Sequence, residues 1–177
     1  ITTVSPTYAK EILQEKKLSG GLNTLLIENE SKFKGVLNGI DPFVWNPSCD
    51  THLQAKYDDN LQEFKQDNKQ FLLKKFGFEQ NDNTPLIAMI SRLDEQKGIN
   101  LFIDAADEIF QKDVKMLLLG DGDAELVTKL KEIAHKYPKK FIFINGFDDP
   151  LGHQIEAGAD IFLIPSKYEP CGLNAIY

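Results

Sequence analysis

The chain has 177 residues, of which 42% are hydrophobic and 27% are charged, as in a globular protein with a sizeable core. Its formal net charge of −7 argues against a nucleic-acid or membrane-surface binder, because both need a basic footprint. No apolar stretch is long enough to cross a bilayer, and two cysteines are too few for a disulfide scaffold. We therefore expect no nucleic-acid partner, no membrane partner and a reducing compartment.

The first half of the chain predicts short elements joined by polar segments. They are a strand at 1–4, a helix at 8–17, a strand with a tight turn at 34–42, a polar surface excursion at 46–60, a helix at 61–77 and a polar connector at 79–85. Ser5 or Thr7 is expected near the N-cap of the first helix, because a hydroxyl oxygen accepts from free backbone N–H groups there.

The second half alternates short apolar runs with amphipathic segments. Four runs predict strands buried on both faces, at 86–90, 116–119, 141–144 and 161–164. Helical spacing follows the first three runs, at about 100–111, up to about 136 and up to 158. Because strands joined by helices form right-handed crossovers, we expect an α/β fold with a parallel sheet and helices on both faces.

Basic residues follow the first strand of this regular half. Arg92 and Lys97 are five positions apart, on a loop that leads into a helix. Two cations at the carboxyl end of a strand can clamp two phosphates, Arg through its bidentate fork and Lys as a point charge. A solvated turn that contains two basic residues is an equally good explanation from spacing alone.

An acid follows the fourth strand. Pro170 biases Glu169 toward an extended or turn conformation, so that its carboxylate projects into the cleft above the sheet. The amides of Gly172, Leu173 and Asn174 are expected to begin a helix and to favour a phosphate. A solvated loop acid is the alternative interpretation of Glu169.

Four other positions allow both a functional and a plain interpretation. Asn38 and Asp41 suit a ligand that approaches closely or an ordinary turn, and Phe147 suits a nucleotide base or the core. His153 suits a ligand contact or a satisfied helix-face histidine, whereas Trp45 is expected to anchor its loop. No cluster has metal-ligand spacing, so we expect no metal site.

Six motifs occur along the chain in one order. They are V-S-P-T-Y-A at 4–9, G-V-L-N-G-I-D at 35–41, W-N-P with Asp50 at 45–50, S-R-L with Q-K-G at 91–98, A-G-A-D at 157–160 and P-S-K-Y-E-P-C-G-L at 165–173. In this order they resemble the motifs of the bacterial glycogen synthases and plastidial starch synthases, which are retaining α-glucan synthases.

The resemblance implies a GT-B fold, with an active site between two Rossmann-like domains. Residues 1–34 would then end the N-terminal domain, and residues 35–177 would form most of the nucleotide-sugar-binding C-terminal domain. The chain would be a fragment without most of the first domain and without the end of the second. It would belong to an enzyme that transfers glucose from ADP-glucose to the non-reducing end of an α-1,4-glucan, glycogen or starch, with retention. The implied compartment is the bacterial cytoplasm or the plastid stroma, and neither metal nor cofactor is implied.

The resemblance also implies a role for each matching residue. Arg92 and Lys97 would hold the donor diphosphate and offset charge on the departing ADP. Glu169 would contact the donor glucose and support an oxocarbenium-like transition state. The remaining positions would contact the donor or line the cleft: Gly172, Leu173 and Asn174 at the phosphate, Phe147 near the adenine, and Asn38 and Asp41 along the cleft.

Two departures from the family pattern limit what this chain is expected to do. The Lys-x-Gly-Gly-Leu motif is absent, and Ala175 stands where the family usually has glutamine. We therefore expect residues 1–177 alone to be inactive as a synthase. The alternatives are a related glycosyltransferase with another donor or acceptor, and a nucleotide-sugar- or glucan-binding module that has lost catalysis.

Overall fold

The structure is a computed structural model that describes residues 1–80 and 83–177. It contains two compact units, one formed by Ile1–Asp41 with Tyr168–Tyr177 and the other by Pro42–Lys167. Part of the predicted connector at 79–85 lies outside the described residues, and the domain boundary after residue 34 stays a prediction. No helix among the described residues is long and apolar enough to span a bilayer.

The first unit is built from short elements. They are β1 (Thr2–Thr3), α1 (Pro6–Gln14), α2 (Asn23–Glu28), β2 (Lys34–Gly35) and two 3₁₀ turns at Glu30–Lys32 and Leu173–Ala175. Strands β1 and β2 pair in parallel, and the predicted cap of α1 is confirmed, since the Ser5 hydroxyl accepts the Tyr8 N–H at 2.9 Å. The strand predicted at 34–42 is wrong beyond Gly35, because β1 offers only two residues as partners.

The second unit is a parallel α/β sheet. Its elements are α3 (Leu61–Lys75), β3 (Leu86–Ile90), α4 (Ile99–Gln111), β4 (Lys115–Gly120), α5 (Ala124–Lys136), β5 (Phe141–Asn145), α6 (Asp149–Gly158) and β6 (Ile161–Phe162). The strands lie in the order β5-β4-β3-β6, and every pair is parallel. The predicted alternation is therefore confirmed, with β6 two residues shorter than the predicted run.

Two hydrophobic clusters cover the two faces of this sheet. One contains Met116 and Leu118 with residues of α4 and α5, and the other contains Leu117 and Leu119 with residues of α3 and α6. Alternate residues of β4 thus enter opposite clusters, so the strand is apolar at consecutive positions. The expected helices on both faces of the sheet are confirmed.

The segment 46–60 is not the plain surface excursion that its polarity predicts. Asp50 is buried, and one of its carboxylate oxygens lies 2.6 Å from Nδ1 of His153 on α6. The Trp45 ring stacks on the His153 ring, with centroids 3.8 Å apart and planes 5° apart. Trp45 therefore anchors its loop as predicted, and His153 packs inside the fold with Nδ1 paired to Asp50 and Nε2 buried without a hydrogen-bond partner among the described residues.

Helices α3 and α6 are joined by an ion pair at the end of the A-G-A-D motif. The ammonium of Lys69, which is buried on α3, lies 2.7 Å from an oxygen of Asp160. The same oxygen accepts the backbone N–H of Leu86 at 2.7 Å. Asp160 thereby connects the segment after α6 to the start of β3. The aspartate of the A-G-A-D motif therefore has a structural role.

The partly buried carboxyl of Glu156 on α6 should make the stability of the chain depend on pH. Burial raises the pKa of its carboxyl from 4.5 to about 7, although the Lys65 ammonium opposes the rise. The folded state binds the Glu156 proton more tightly than the unfolded state. The resulting contribution to the free energy of unfolding is complete below about pH 4.5 and is lost as the pH rises through about 7. Relative to Glu156→Gln, the wild type should lose about 1–2 kcal/mol of unfolding free energy in this window, a value reduced for partial exposure.

The measurement is urea unfolding of both proteins at about pH 5 and about pH 8. Glu132→Gln, at an exposed position of α5, is the matched control and should follow the wild type at both pH values. A constant difference between the wild type and Glu156→Gln across the window would contradict the raised pKa.

Candidate functional site

The topology of the second unit marks one place on the sheet. The chain runs from β3 through β4 to β5 and then crosses to β6, which lies on the other side of β3. The strand order thus reverses at β3. In open parallel sheets ligands bind at such a switch point, outside the carboxyl ends of the strands. Here the loop 91–98, which follows β3, and the segment 163–167, which follows β6, both lie at the switch point.

The two chain segments at the switch point are in direct contact. Gly98 has φ +70°, and a Cβ on it would lie 2.0 Å from the carbonyl oxygen of Pro165, so only glycine fits. The Lys167 N–H donates to the Gln96 carbonyl at 2.8 Å, and the Lys167 ammonium pairs with the Glu95 carboxylate. The Q-K-G motif therefore packs against the start of the P-S-K-Y-E-P-C-G-L motif.

Glycines also hold the loop 91–98 against the end of β4. The Leu93 N–H donates to the Asp121 carbonyl at 2.8 Å, and the Asp123 N–H donates to the Leu93 carbonyl at 2.9 Å. A Cβ on Gly122 would lie 2.4 Å from the Leu93 carbonyl oxygen. Asp123 caps α5 by accepting the Glu125 N–H at 2.8 Å. The loop 91–98 is thereby anchored to the turn between β4 and α5.

Asp94 contacts both predicted basic residues of this loop, Arg92 through its guanidinium and Lys97 through its backbone. The Arg92 side chain is 70% exposed, and its guanidinium lies 3.0 Å from an oxygen of Asp94. The backbone N–H of Lys97, a half-buried residue, donates to the other Asp94 oxygen at 3.0 Å. Sequence reasoning missed Asp94, although an aspartate three positions before Lys97 is a known turn signal. Because an exposed ion pair is weak, a bound diphosphate can displace Asp94 from Arg92.

The core interpretation of Phe147 is wrong, because this residue is 90% exposed. It follows β5 and comes directly after Gly146. The nearby end of β5 is ordered by Asn145, whose amide donates to the Asp121 carboxylate at 2.8 Å. Arg92, Lys97 and Phe147 therefore stand at the same edge of the sheet, with the Phe147 ring open to solvent.

The other predicted residues belong to the first unit. Asn38 and Asp41 are exposed and lie in a segment without regular structure, whereas Glu169 is half-buried. The predicted helix after Gly172 is wrong here: Gly172 has φ +69° and is followed by the three-residue 3₁₀ turn Leu173–Ala175. Since so short a turn aligns few peptide dipoles, the expected helix dipole at Gly172, Leu173 and Asn174 is absent from this turn.

The chain matches one protein family and several related enzymes. The sequence model of the family "Glycosyl transferases group 1" matches residues 70–176. Glycogen synthase 1 of Methylococcus capsulatus is 42% identical over 177 residues, which are 100% of this chain and 36% of that protein. The glycogen synthase of Mycoplasma mobile is 45% identical over 178 residues, covering 99% of this chain and 37% of that protein. The chain thus spans little more than a third of the relatives that it matches.

Solved structures agree with these sequence matches. The catalytic domain of starch synthase IV from Arabidopsis thaliana, bound to ADP and acarbose, has a TM-score of 0.90 and 35% identity, covering 99% of this chain and 36% of that one. Anabaena HepE in complex with UDP and glucose has a TM-score of 0.59 at 20% identity, covering 97% of this chain and 39% of that one, and shows the fold alone. The predicted resemblance and the α/β fold of a GT-B glycosyltransferase are confirmed. Since the family match covers more than half of its residues, this chain belongs to the glycosyl transferases group 1.

Proposed function

We propose that the chain is part of a retaining enzyme that transfers glucose from ADP-glucose to the non-reducing end of an α-1,4-glucan. The observation that carries this proposal is the packing of the loop 91–98, which holds Arg92 and Lys97, against residues 165–167 at the switch point of the sheet. A phosphorylated donor suits that place, because the loop brings Arg92 and Lys97 to the carboxyl end of β3. The similarity to glycogen synthases and to an ADP-bound starch synthase supports the choice of donor and acceptor.

In this proposal the second unit binds the nucleotide part of the donor. Arg92 exchanges its exposed contact with Asp94 for the diphosphate, and Lys97 adds a second positive charge. Both cations stabilise the negative charge that develops on the departing ADP. The exposed ring of Phe147 stacks against the adenine. Since these cations supply the positive charge, the proposal needs neither a metal ion nor a cofactor.

The first unit supplies the groups proposed to act on the glucose and the phosphates. Glu169 contacts the donor glucose, and its carboxylate supports the positive charge of an oxocarbenium-like transition state. The amides of Gly172, Leu173 and Asn174 bind the phosphate, while Asn38 and Asp41 line the cleft. The remaining groups that transfer requires would come from the part of the enzyme outside this chain, because its relatives are almost three times as long.

The acceptor is glycogen in a bacterium, where the enzyme acts in the cytoplasm, or starch in the plastid stroma of a plant or an alga. The second candidate function is a nucleotide-sugar- or glucan-binding module without catalysis. It is favoured by Ala175, which ends the 3₁₀ turn after Gly172 and replaces a glutamine that is usual in the glycogen and starch synthases.

The test is glucose transfer from labelled ADP-glucose to glycogen by the full-length enzyme. Incorporation of label into α-1,4 linkages would support the proposal, and transfer from UDP-glucose alone would favour a related glycosyltransferase. Tight ADP-glucose binding without transfer would favour the binding module, and Ala175→Gln would then be the first reversion to make. Residues 1–177 alone are expected to bind nucleotide without elongating glucan.

A further inference from the structure

A pair of tyrosine rings connects α1 with the segment that carries Glu169. The rings of Tyr8 and Tyr168 have centroids 6.5 Å apart and planes only 5° apart. Both residues belong to the first compact unit, and Tyr168 directly precedes Glu169. Parallel aromatic rings in offset contact attract each other beyond their shared buried area. The position of Tyr8 therefore influences the backbone next to the proposed acid.

The Tyr8 end of this contact is held rigidly. The backbone N–H of Tyr8 donates to the Ser5 hydroxyl at 2.9 Å, and the Ala9 N–H donates to the Ser5 carbonyl at 2.9 Å. A Cβ on Gly35 would lie 1.9 Å from that same carbonyl oxygen, so β2 lies directly against the start of α1. The N-cap thus fixes the position of Tyr8, and β2 packs against the carbonyl of the capping residue Ser5.

At the other end of the contact, Glu169 is followed by a tight turn with its own hydrogen bonds. Gly172 adopts φ +69°, and a Cβ on it would lie 3.6 Å from Cβ of Glu169. The Ala175 N–H donates to the Gly172 carbonyl at 3.0 Å, and the Ile176 N–H donates to the Leu173 carbonyl at 2.8 Å. Tyr168 and Glu169 are consecutive residues just before this turn, so a displacement of Tyr168 carries Glu169 with it.

The ionisation of Tyr8 agrees with this geometry. Burial raises the pKa of the Tyr8 phenol, and the neighbouring Tyr168 phenol adds to the rise. This rise is consistent with the proximity of the two rings, whose centroids are 6.5 Å apart.

We infer that Tyr8 is a positioning residue: its ring holds Tyr168, and Tyr168 holds the Glu169 carboxylate in the orientation that glucosyl transfer requires. The kinetic part of this inference rests on the proposed function, whereas the structural part does not. The ring face makes the contact, so a phenylalanine at position 8 preserves it and an alanine removes it.

The kinetic experiment compares Tyr8→Ala and Tyr8→Phe in the full-length enzyme. Tyr8→Ala should lower kcat by about tenfold to hundredfold, because small misplacements of a catalytic group cost that much. The KM for ADP-glucose should change by less than about twofold, because Arg92 and Lys97 are untouched. Tyr8→Phe should retain the wild-type kcat. In a Glu169→Gln background, Tyr8→Ala should cause no further loss, since residues that act as a unit are not additive.

Tyr57→Ala is the matched control for lost aromatic packing. Tyr57 is half-buried in the second unit, in edge-to-face contact with Phe64 at 5.9 Å between centroids. Its removal should lower stability and leave kcat unchanged. A kcat loss of equal size in Tyr57→Ala and Tyr8→Ala would overturn the inference.

A second readout needs no activity. Among residues 1–177, Cys49→Ser leaves Cys171 as the one cysteine, half-buried and two residues after Glu169, and mass spectrometry of the peptide that contains Cys171 reports its labelling alone. Tyr8→Ala should raise its rate of maleimide labelling by about fivefold or more through local opening of the turn, and Tyr8→Phe should not. An unchanged rate in Tyr8→Ala overturns the inference, as does faster labelling with an unchanged kcat. If the wild type transfers no glucose, the proposed function fails, and the labelling rates alone decide whether Tyr8 holds the turn.

Discussion

Replacing Glu169 by glutamine is expected to lower kcat for glucosyl transfer by about three orders of magnitude, or about 4 kcal/mol of transition-state stabilisation. Glutamine keeps the size of the side chain but removes the negative charge that supports the oxocarbenium-like transition state. The Kd for ADP-glucose should change by less than about threefold, because in the proposed function Arg92 and Lys97 supply the ground-state binding of the diphosphate. The measurements are steady-state transfer to glycogen and calorimetric titration with ADP-glucose, both on the full-length enzyme.

Glu132→Gln is the matched control, because it makes the same chemical change at an exposed position of α5. It should leave kcat and Kd at wild-type values. A kcat of Glu169→Gln within about tenfold of wild type would remove Glu169 from the chemistry. A parallel loss of donor binding and kcat would make Glu169 a binding residue instead.

Gly98→Ala is expected to lower the free energy of unfolding of the chain by about 3 kcal/mol or more. The alanine must adopt the left-handed conformation at φ +70°, which costs about 1–2 kcal/mol. Its Cβ would also lie 2.0 Å from the Pro165 carbonyl oxygen, so the backbone must shift. That shift separates the loop 91–98 from residues 165–167, and nucleotide binding should weaken with it.

Gly77→Ala separates these two costs. Gly77 has φ +68°, almost the same as Gly98, but a Cβ on it would meet open space. This variant should lose only the conformational cost of about 1 kcal/mol. Urea unfolding at constant pH gives both values. Equal losses in the two variants would show that the loop relaxes freely and that the contact with Pro165 is loose.

The regular half of the fold was predictable from local pattern. Each residue of β4 is buried, and alternate residues enter opposite clusters, so the strand appears in the sequence as an unbroken apolar run. Helices α4 and α5 appear through apolar residues at a spacing of three to four positions. The caps at Ser5 and Asp123 were predictable for the same reason, since the hydrogen bonds of a cap span only two or three residues.

The irregular parts were less predictable, because distant residues decide them. Asp50 and His153 are 103 positions apart, and only the fold shows that they bind and so anchor the segment 46–60. Residues 36–41 form no strand, because β1 ends at Thr3: the Val36 N–H still donates to the Thr3 carbonyl at 2.8 Å, but the following residues run beyond the end of β1. Phe147 has the residue type of a core position, but it stands beyond the end of β5 at the open edge of the sheet.

The candidate site, too, was predictable from the sequence only in part. Residue type and position made Arg92, Lys97 and Glu169 candidates, with a plain interpretation equally good for each. The resemblance to the glycogen and starch synthases implied their roles, which stay predictions. The role of Asp94 and the contact of Gly98 with Pro165 became visible only in three dimensions.

The sequence by itself determined that the second unit is a parallel sheet between two layers of helices. Strands buried on both faces appear as unbroken apolar runs, and the helices between them appear as apolar residues three to four positions apart. Only the tertiary structure decided that β6 lies beside β3, since a crossover helix can deliver the next parallel strand to either edge of a sheet. That placement brings the segment 163–167 to the loop 91–98 and creates the switch point at which the proposed donor binds.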